Sequence, residues 1–285
     1  MKELIPEVLV NEHCSCAENP LWDDARGVLY WCDIDDGELY QWDAVAGEHR
    51  QIFQGPEMGA FALQRDGSLL LLYVGSAARL DPESGELIVL KEGIVSDTGR
   101  FNDCIAAPNG ELFTGTVDWE QGTRGGLFHL DLAGNATEIF RGTACSNGLG
   151  WTPDGGGLYW ADSTAKTVYL FDYNAQSGQV SNRREWLHTP GLTPDGLTTD
   201  SEGGVWVCYY DGGCVRHYAP DATLIQQIEF PVKHITSCIF GGADGDELYV
   251  TTARGNPNSQ TLDGAVFRLT PGVKGTPRLR SRVLI

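Results

Sequence analysis

One two-part unit recurs six times along this 285-residue chain, and no other feature restricts the fold so tightly. Its first part is a turn rich in Asp, Asn and Gly that leads into an apolar strand. It reads D-A-R-G-V-L-Y-W at 24–31, R-D-G-S-L-L-L-L at 65–72 and P-N-G-E-L-F-T-G at 108–115. It continues as P-D-G-G-G-L-Y-W at 153–160, S-E-G-G-V-W-V at 201–207 and D-G-D-E-L-Y-V at 244–250. The second part keeps step: L-Y-Q-W-D at 39–43, A-R-L-D at 78–81, L-F-H-L-D at 127–131, V-Y-L-F-D at 168–172, V-R-H-Y-A-P-D at 215–221 and V-F-R-L-T at 266–270. Marked by Gly27, Gly67, Gly110, Gly156, Gly203 and Gly245, the units lie 40, 43, 46, 47 and 42 residues apart.

Six two-hairpin units at this spacing predict an all-β, six-bladed β-propeller with four antiparallel strands per blade. A blade cannot bury both faces alone, so its neighbours must supply the core. The composition agrees: 36 Gly for turns, with 8 Trp, 10 Tyr and 10 Phe for strands. No long stretch holds the helical apolar period without a Gly or Pro interruption. Residues 1–285 are expected to form one domain, since no linker or shift of composition divides them. Ring closure predicts pairing of Pro6–Val10 with strands near the C-terminus, with Arg282–Ile285 as the candidate. The Asn/Pro/Gly/Ser stretch from Gly255 to Gln260 reads as a long loop in the last blade.

With 20 Lys and Arg against 39 Asp and Glu, the formal net charge is −19. That balance argues against nucleic-acid and anionic-membrane partners, both of which require basic surfaces. The longest apolar run, Leu69–Val74, is too short to span a bilayer. The start of the chain lacks the basic and apolar regions of a secretory signal. Eight Cys (Cys14, Cys16, Cys32, Cys104, Cys145, Cys208, Cys214 and Cys238) form no C-x-x-C pair. They are expected to be reduced and mostly buried, in a cytoplasmic protein. The charge and the lack of an obvious exposed apolar strand favour a monomer and leave a homodimer open.

Function is read from what falls at one phase of the repeat. Eight or nine residues before the turn glycine lie Glu18, Asn102, Asn147 and Asp195 in units one, three, four and five. Unit two offers Met58 or Gly59 there, and unit six Thr236 or Ser237. In a propeller this segment enters the innermost strand, so equivalent residues face one another across the central channel. Asn-Gly and Asp-Gly are common turn formers, and any one alone would read as a turn. Four in phase read as a site. Two carboxylates and two amides are hard oxygen donors suited to Ca²⁺, Mg²⁺ or Mn²⁺, and Zn²⁺ or Fe²⁺ can also accept them. Gly148 and Gly196 directly follow two of these candidates, as a closely approached backbone would need.

These segments carry a family pattern. E-x-P-x-W at 18–22, R-F-N-D at 100–103, S-N-G-L-x-W-x-P-D-G at 146–155 and P-D-G-L at 194–197 occur in order. The chain thereby resembles the family of regucalcin (senescence marker protein), bacterial gluconolactonases and luciferin-regenerating enzyme, from about Glu18 to the T-T-A-R-G segment at 251–255. The resemblance implies a six-bladed propeller that hydrolyses a sugar lactone with one divalent metal ion in its channel. It implies metal ligation by Glu18, Asn147 and Asp195, and substrate binding by Arg100, Asn102 and Glu120. The family's glycines around its first glutamate are replaced here by Ala17 and Asn19. On this reading Asp195 also acts as general base toward water.

Other chemistries find little support. G-x-S-x-G, H-E-x-x-H, G-x-G-x-x-G and P-loop patterns are missing. The six His are scattered, and His129 and His217 sit on strands away from the channel. L-Y-W-C-D and L-Y-W-A-D resemble the Y-W-T-D propellers of cell-surface receptors, but only two units carry them. A metal-binding propeller without turnover and a hydrolase of non-sugar lactones or phosphotriesters remain as alternatives.

Overall fold

The computed structural model describes residues 4–255 and 262–285. Strands follow the repeat. Six four-stranded antiparallel sheets form, and in five of them the strand order is simply the chain order from the inside outward. The innermost strands are Ala17–Asp23, Ala60–Leu63, Phe101–Ala106, Ser146–Trp151, Pro194–Thr199 and His234–Gly241, and each packs against its neighbours around the ring. The sixth blade is composite. Its outermost strand is the N-terminal Glu7–Val10, paired with Val266–Leu269. The ring is therefore closed by the N-terminal segment, as expected, but its partner differs from the expected Arg282–Ile285.

The physical reason lies in the C-terminal segment, which crosses the floor of the ring instead of joining a blade edge. Lys274 O accepts from Ser201 N at 2.7 Å and Gly275 N reaches Gly245 O at 2.9 Å. Farther on, Ser281 N reaches Leu63 O at 2.8 Å, Arg282 N reaches Gly110 O at 2.7 Å and Leu284 N reaches Leu132 O at 2.9 Å. Arginine side chains repeat the pattern, with Arg278 on Phe240 O, Arg280 on Asp23 and Arg282 on Asn109 O. Each of these bonds gives a polar group a partner and contributes about 0.5–1.5 kcal/mol net.

Six apolar clusters fill the ring, one between each pair of neighbouring blades. Trp31, Trp160 and Trp206, from the apolar strand after the turn, are fully buried. Trp31 and Trp160 stack on Tyr40 and Tyr169 with centroids 5.5 Å apart. All eight cysteines are free thiols, and only Cys16 is partly exposed. Among the described residues no helix is long and apolar enough to cross a membrane. The predicted loop at Gly255–Gln260 lies almost wholly outside the described residues.

The repeat markers are turn glycines in the left-handed region, with φ from 67° to 91° at Gly27, Gly67, Gly110, Gly203 and Gly245. In the fourth unit this position belongs to Gly155 (φ 67°) instead of Gly156. The first turn is one residue longer than the others: Gly27 N bonds Asp23 O, four residues back, whereas Gly67 bonds Gln64 and Gly155 bonds Thr152, three back. That extra residue accounts for the nine-residue offset of Glu18 beside the eight-residue offsets of Asn102, Asn147 and Asp195.

Candidate active site

Five of the six innermost strands break their ladder near the upper end of the channel. The shifts fall between Glu18 and Leu21, Phe101 and Cys104, Ser146 and Leu149, Pro194 and Leu197, and Ile235 and Cys238. The in-phase residues Glu18, Asn102, Asn147 and Asp195 lie within or at the edge of these breaks. A bulge places an extra residue against its partner strand and re-aims side chains. The second blade keeps a regular register from Ala60 to Leu63 and carries Gly59 at this phase. Its Gly59 supplies room instead, since a Cβ there would lie 2.4 Å from Arg100 Nη1 and 2.2 Å from Phe101 O. Gly196 meets a similar demand, because a Cβ would lie 2.1 Å from Ser237 Oγ.

The result is a cavity of about 470 Å³ at one mouth of the channel, lined by Glu18, Arg100, Asn102, Asn147 and Asp195 together with Cys16, Cys145, Ser163, Tyr210 and Arg254. Glu18, Asn147 and Asp195 are only 4%, 6% and 5% exposed, so their polar atoms meet the cavity and not bulk water. Glu18 Oε2 accepts the Asn19 N–H at 2.6 Å. Asn147 Nδ2 donates to Ser163 Oγ at 3.3 Å. Asn147 Oδ1 and Asp195 Oδ1 are buried and have no hydrogen-bond partner. Two orphaned buried oxygens on adjacent blades are costly as they stand, and a bound cation would satisfy both.

Electrostatics point the same way. Burial, then the nearby Asp103 carboxylate, raises Glu18 to about 8. Burial raises Asp103 to about 7, against the opposing hydrogen bonds from Cys104 N and Asn19. Asp195 is pushed well above the carboxylate range by burial and then by Glu18 and Asp103. Three buried carboxyl groups thus lie close enough to raise one another, and Arg100 offsets this only in part at Glu18. A divalent ion would restore them to the charged form. The donor set, carboxylate and amide oxygens on three blades, fits such an ion.

Arg100 lines the cavity in a fixed position. Its Nε donates to Glu57 Oε1 at 2.7 Å and its Nη1 to Asn102 Oδ1 at 2.5 Å. Asn102 Nδ2 donates to Ser146 O at 2.9 Å, which locks the amide between blades three and four. Glu120 is not brought to the cavity. Its side chain is 85% exposed and pairs with Arg124 at 3.1 Å, while the preceding Trp119 lines the mouth.

The sequence reading gave no role to Asp103, although it stands next to Asn102. Asp103 Oδ1 accepts Asn19 Nδ2 at 2.7 Å, and Asn19 sits in the left-handed region at φ 50°. Asn is one of the few residues besides glycine that adopt this conformation routinely. The rim cluster Asp33, Asp36 and Glu38 also went unremarked. Asp33 accepts the Ser15 and Cys16 N–H groups at 2.6 and 2.9 Å and so shapes the segment leading to Glu18. His129 and His217 pair with Glu111 at 2.8 Å and Asp200 at 3.0 Å. They lie outside the cavity lining.

Comparison with known proteins places this geometry. Residues 16–254 match the SMP-30/Gluconolactonase/LRE-like region. Pentonolactonase XacC of Haloferax volcanii is 37% identical over 96% of this chain and 97% of its own. Regucalcin of Bos taurus is 32% identical over 97% and 98%. Among solved structures, a luciferin-regenerating enzyme superposes with a TM-score of 0.89 at 26% identity, covering 98% of this chain and 99% of that one.

Proposed function

The chain belongs to the SMP-30/gluconolactonase/LRE-like family, and we propose that it hydrolyses a sugar lactone to the open-chain acid with the help of one divalent ion. The observation that carries this reading is the pair of orphaned buried oxygens, Asn147 Oδ1 and Asp195 Oδ1, beside the raised Glu18 carboxyl. The relative named a pentonolactonase supports the substrate class.

Lactone hydrolysis adds water across a ring ester: the carbonyl carbon gains a C–O bond, the ring C–O bond breaks, and an acid and a hydroxyl result. When bound, a divalent ion polarises the carbonyl and acidifies water. Glu18, Asn147 and Asp195 would hold it from blades one, four and five. Asp195 also accepts the proton of the attacking water, since its carboxylate lines the cavity. Arg100 donates to the sugar hydroxyls, and Asn102, whose amide nitrogen is held on Ser146 O and whose Oδ1 accepts from Arg100, fixes the guanidinium toward the ring. Glu120 would join them only if its loop turned inward, away from Arg124.

Proton release from gluconolactone, galactonolactone, xylonolactone and arabinonolactone tests this on metal-stripped protein, with Ca²⁺, Mg²⁺, Mn²⁺, Zn²⁺ or Fe²⁺ restored in turn. Metal-dependent turnover is the expected result. No turnover under any pairing would overturn the assignment, and tight ion binding in that case would identify a binding module.

A further inference from the structure

The hydrogen-bond chain behind Asn147 has a direction. Ser163 Oγ lies 2.7 Å from Pro194 O and 3.3 Å from Asn147 Nδ2. A backbone carbonyl only accepts, so the single hydroxyl hydrogen of Ser163 is committed to Pro194. Toward Asn147 the serine therefore presents a lone pair, which accepts from Nδ2 and would repel Oδ1. Cys145 Sγ is a second, weaker acceptor, 3.7 Å from Asn147 Nδ2 and 3.8 Å from Asn102 Nδ2. Together they hold the carboxamide with nitrogen toward Ser163 and leave Oδ1 without a donor among the described residues.

The support behind Ser163 is itself fixed. Asp162 Oδ1 accepts Thr143 Oγ1 at 2.7 Å and Ala165 N at 3.0 Å. Thr164 Oγ1 accepts the Ala144 and Cys145 N–H groups at 3.1 Å each. Because Pro194 immediately precedes Asp195, the chain from Asn147 through Ser163 also ties the blade four oxygen to the blade five carboxylate.

We propose that Ser163, assisted by Cys145, is a positioning residue that aims Asn147 Oδ1 at the divalent ion. This rests on the reading of Glu18, Asn147 and Asp195 as the ion's ligands. Groups that orient metal ligands typically contribute about 10- to 100-fold to affinity.

The test is calorimetric titration of the metal-stripped full chain with Mn²⁺ and with Ca²⁺, for wild type, Ser163→Ala, Asn147→Asp and the double variant. An aspartate offers an oxygen at both ends and has no amide nitrogen to misplace. Ser163→Ala is expected to weaken binding about 10- to 100-fold with Asn147 present, and by less than about 3-fold beside Asn147→Asp. Binding within about 2-fold of wild type overturns the proposal. So does an equal loss in both backgrounds, which a merely structural role would give. Ser163→Cys, nearly isosteric but a weaker acceptor, carries the same expectation where the alanine variant does not fold. A wild type that takes up neither ion defeats the underlying ligand assignment instead, a result distinct from wild-type binding that is indifferent to Ser163.

Discussion

At its upper end the channel is lined by Glu18, Asn102, Asn147 and Asp195, whereas two or three residues further along the same strands it is lined by Leu21, Cys104, Leu149 and Leu197. The upper end holds unpartnered oxygens and carboxyl groups that repel one another. The lower end is an apolar space of about 100 Å³ closed by Thr276–Leu279 of the C-terminal segment. One set of strands therefore destabilises the metal-free fold at one end and stabilises it at the other. The boundary between them is the ladder break in five of the six inner strands, so a local backbone feature decides where binding energy is stored and where folding energy is gained.

Substitutions at the two ends should separate these roles. Asp195→Ala is expected to lower kcat/KM for the best lactone by about 10³-fold or more, if it serves as both ligand and base. The same variant, freed of one repelling carboxyl, should gain about 0.5–2 kcal/mol of metal-free stability in urea denaturation. Leu149→Ala at the lower end should do the reverse. It should cost about 2–5 kcal/mol of stability and leave ion affinity unchanged. A loss of stability from Asp195→Ala, or a loss of ion binding from Leu149→Ala, would remove the division between the two ends.

The pH dependence of the metal-free protein sharpens the same comparison. Glu18 and Asp103 are raised from the ordinary carboxylate range to about 8 and about 7. The native state then binds more protons than the unfolded state across that interval. Stability contributed by these groups is fully present below their unfolded values and is lost as pH rises toward 8. Urea midpoints should therefore fall between pH 5 and pH 8 without metal, and the fall should flatten with saturating metal. A midpoint that rises over this range would show that the carboxyls are charged in the free fold.

The smallest effect is expected at the rim. Glu120 is exposed and bound to Arg124, and surface ion pairs contribute about 0–1 kcal/mol. Glu120→Ala should change KM by less than about 3-fold. A tenfold rise would show that the loop carrying Trp119 folds over bound substrate.

Blade number, blade phase and the in-phase residues were legible because each is periodic and local. The length of one turn was not: Gly27 bonds four residues back where the other turns bond three, which only hydrogen-bond geometry reveals. The floor was also hidden, since Arg278, Arg280 and Arg282 reach partners as distant as Asp23 and Asn109. Their alternation in sequence is the signal that could have suggested one extended segment with one face turned to the blades. Asp103 and Ser163 were missed for a related reason. Each acts through a residue of another strand, Asn19 or Asn147, and such pairing leaves no spacing to read.

The most direct test of the central claim is calorimetric titration of the metal-stripped chain with a divalent ion at pH 7, in two buffers of different ionisation enthalpy. The expected result is one ion per chain, bound with net proton release as Glu18, Asp103 and Asp195 are returned to the charged form, and lost in Asp195→Ala. Binding without proton release, or binding that survives Asp195→Ala unchanged, would contradict the placement of the ion among these residues.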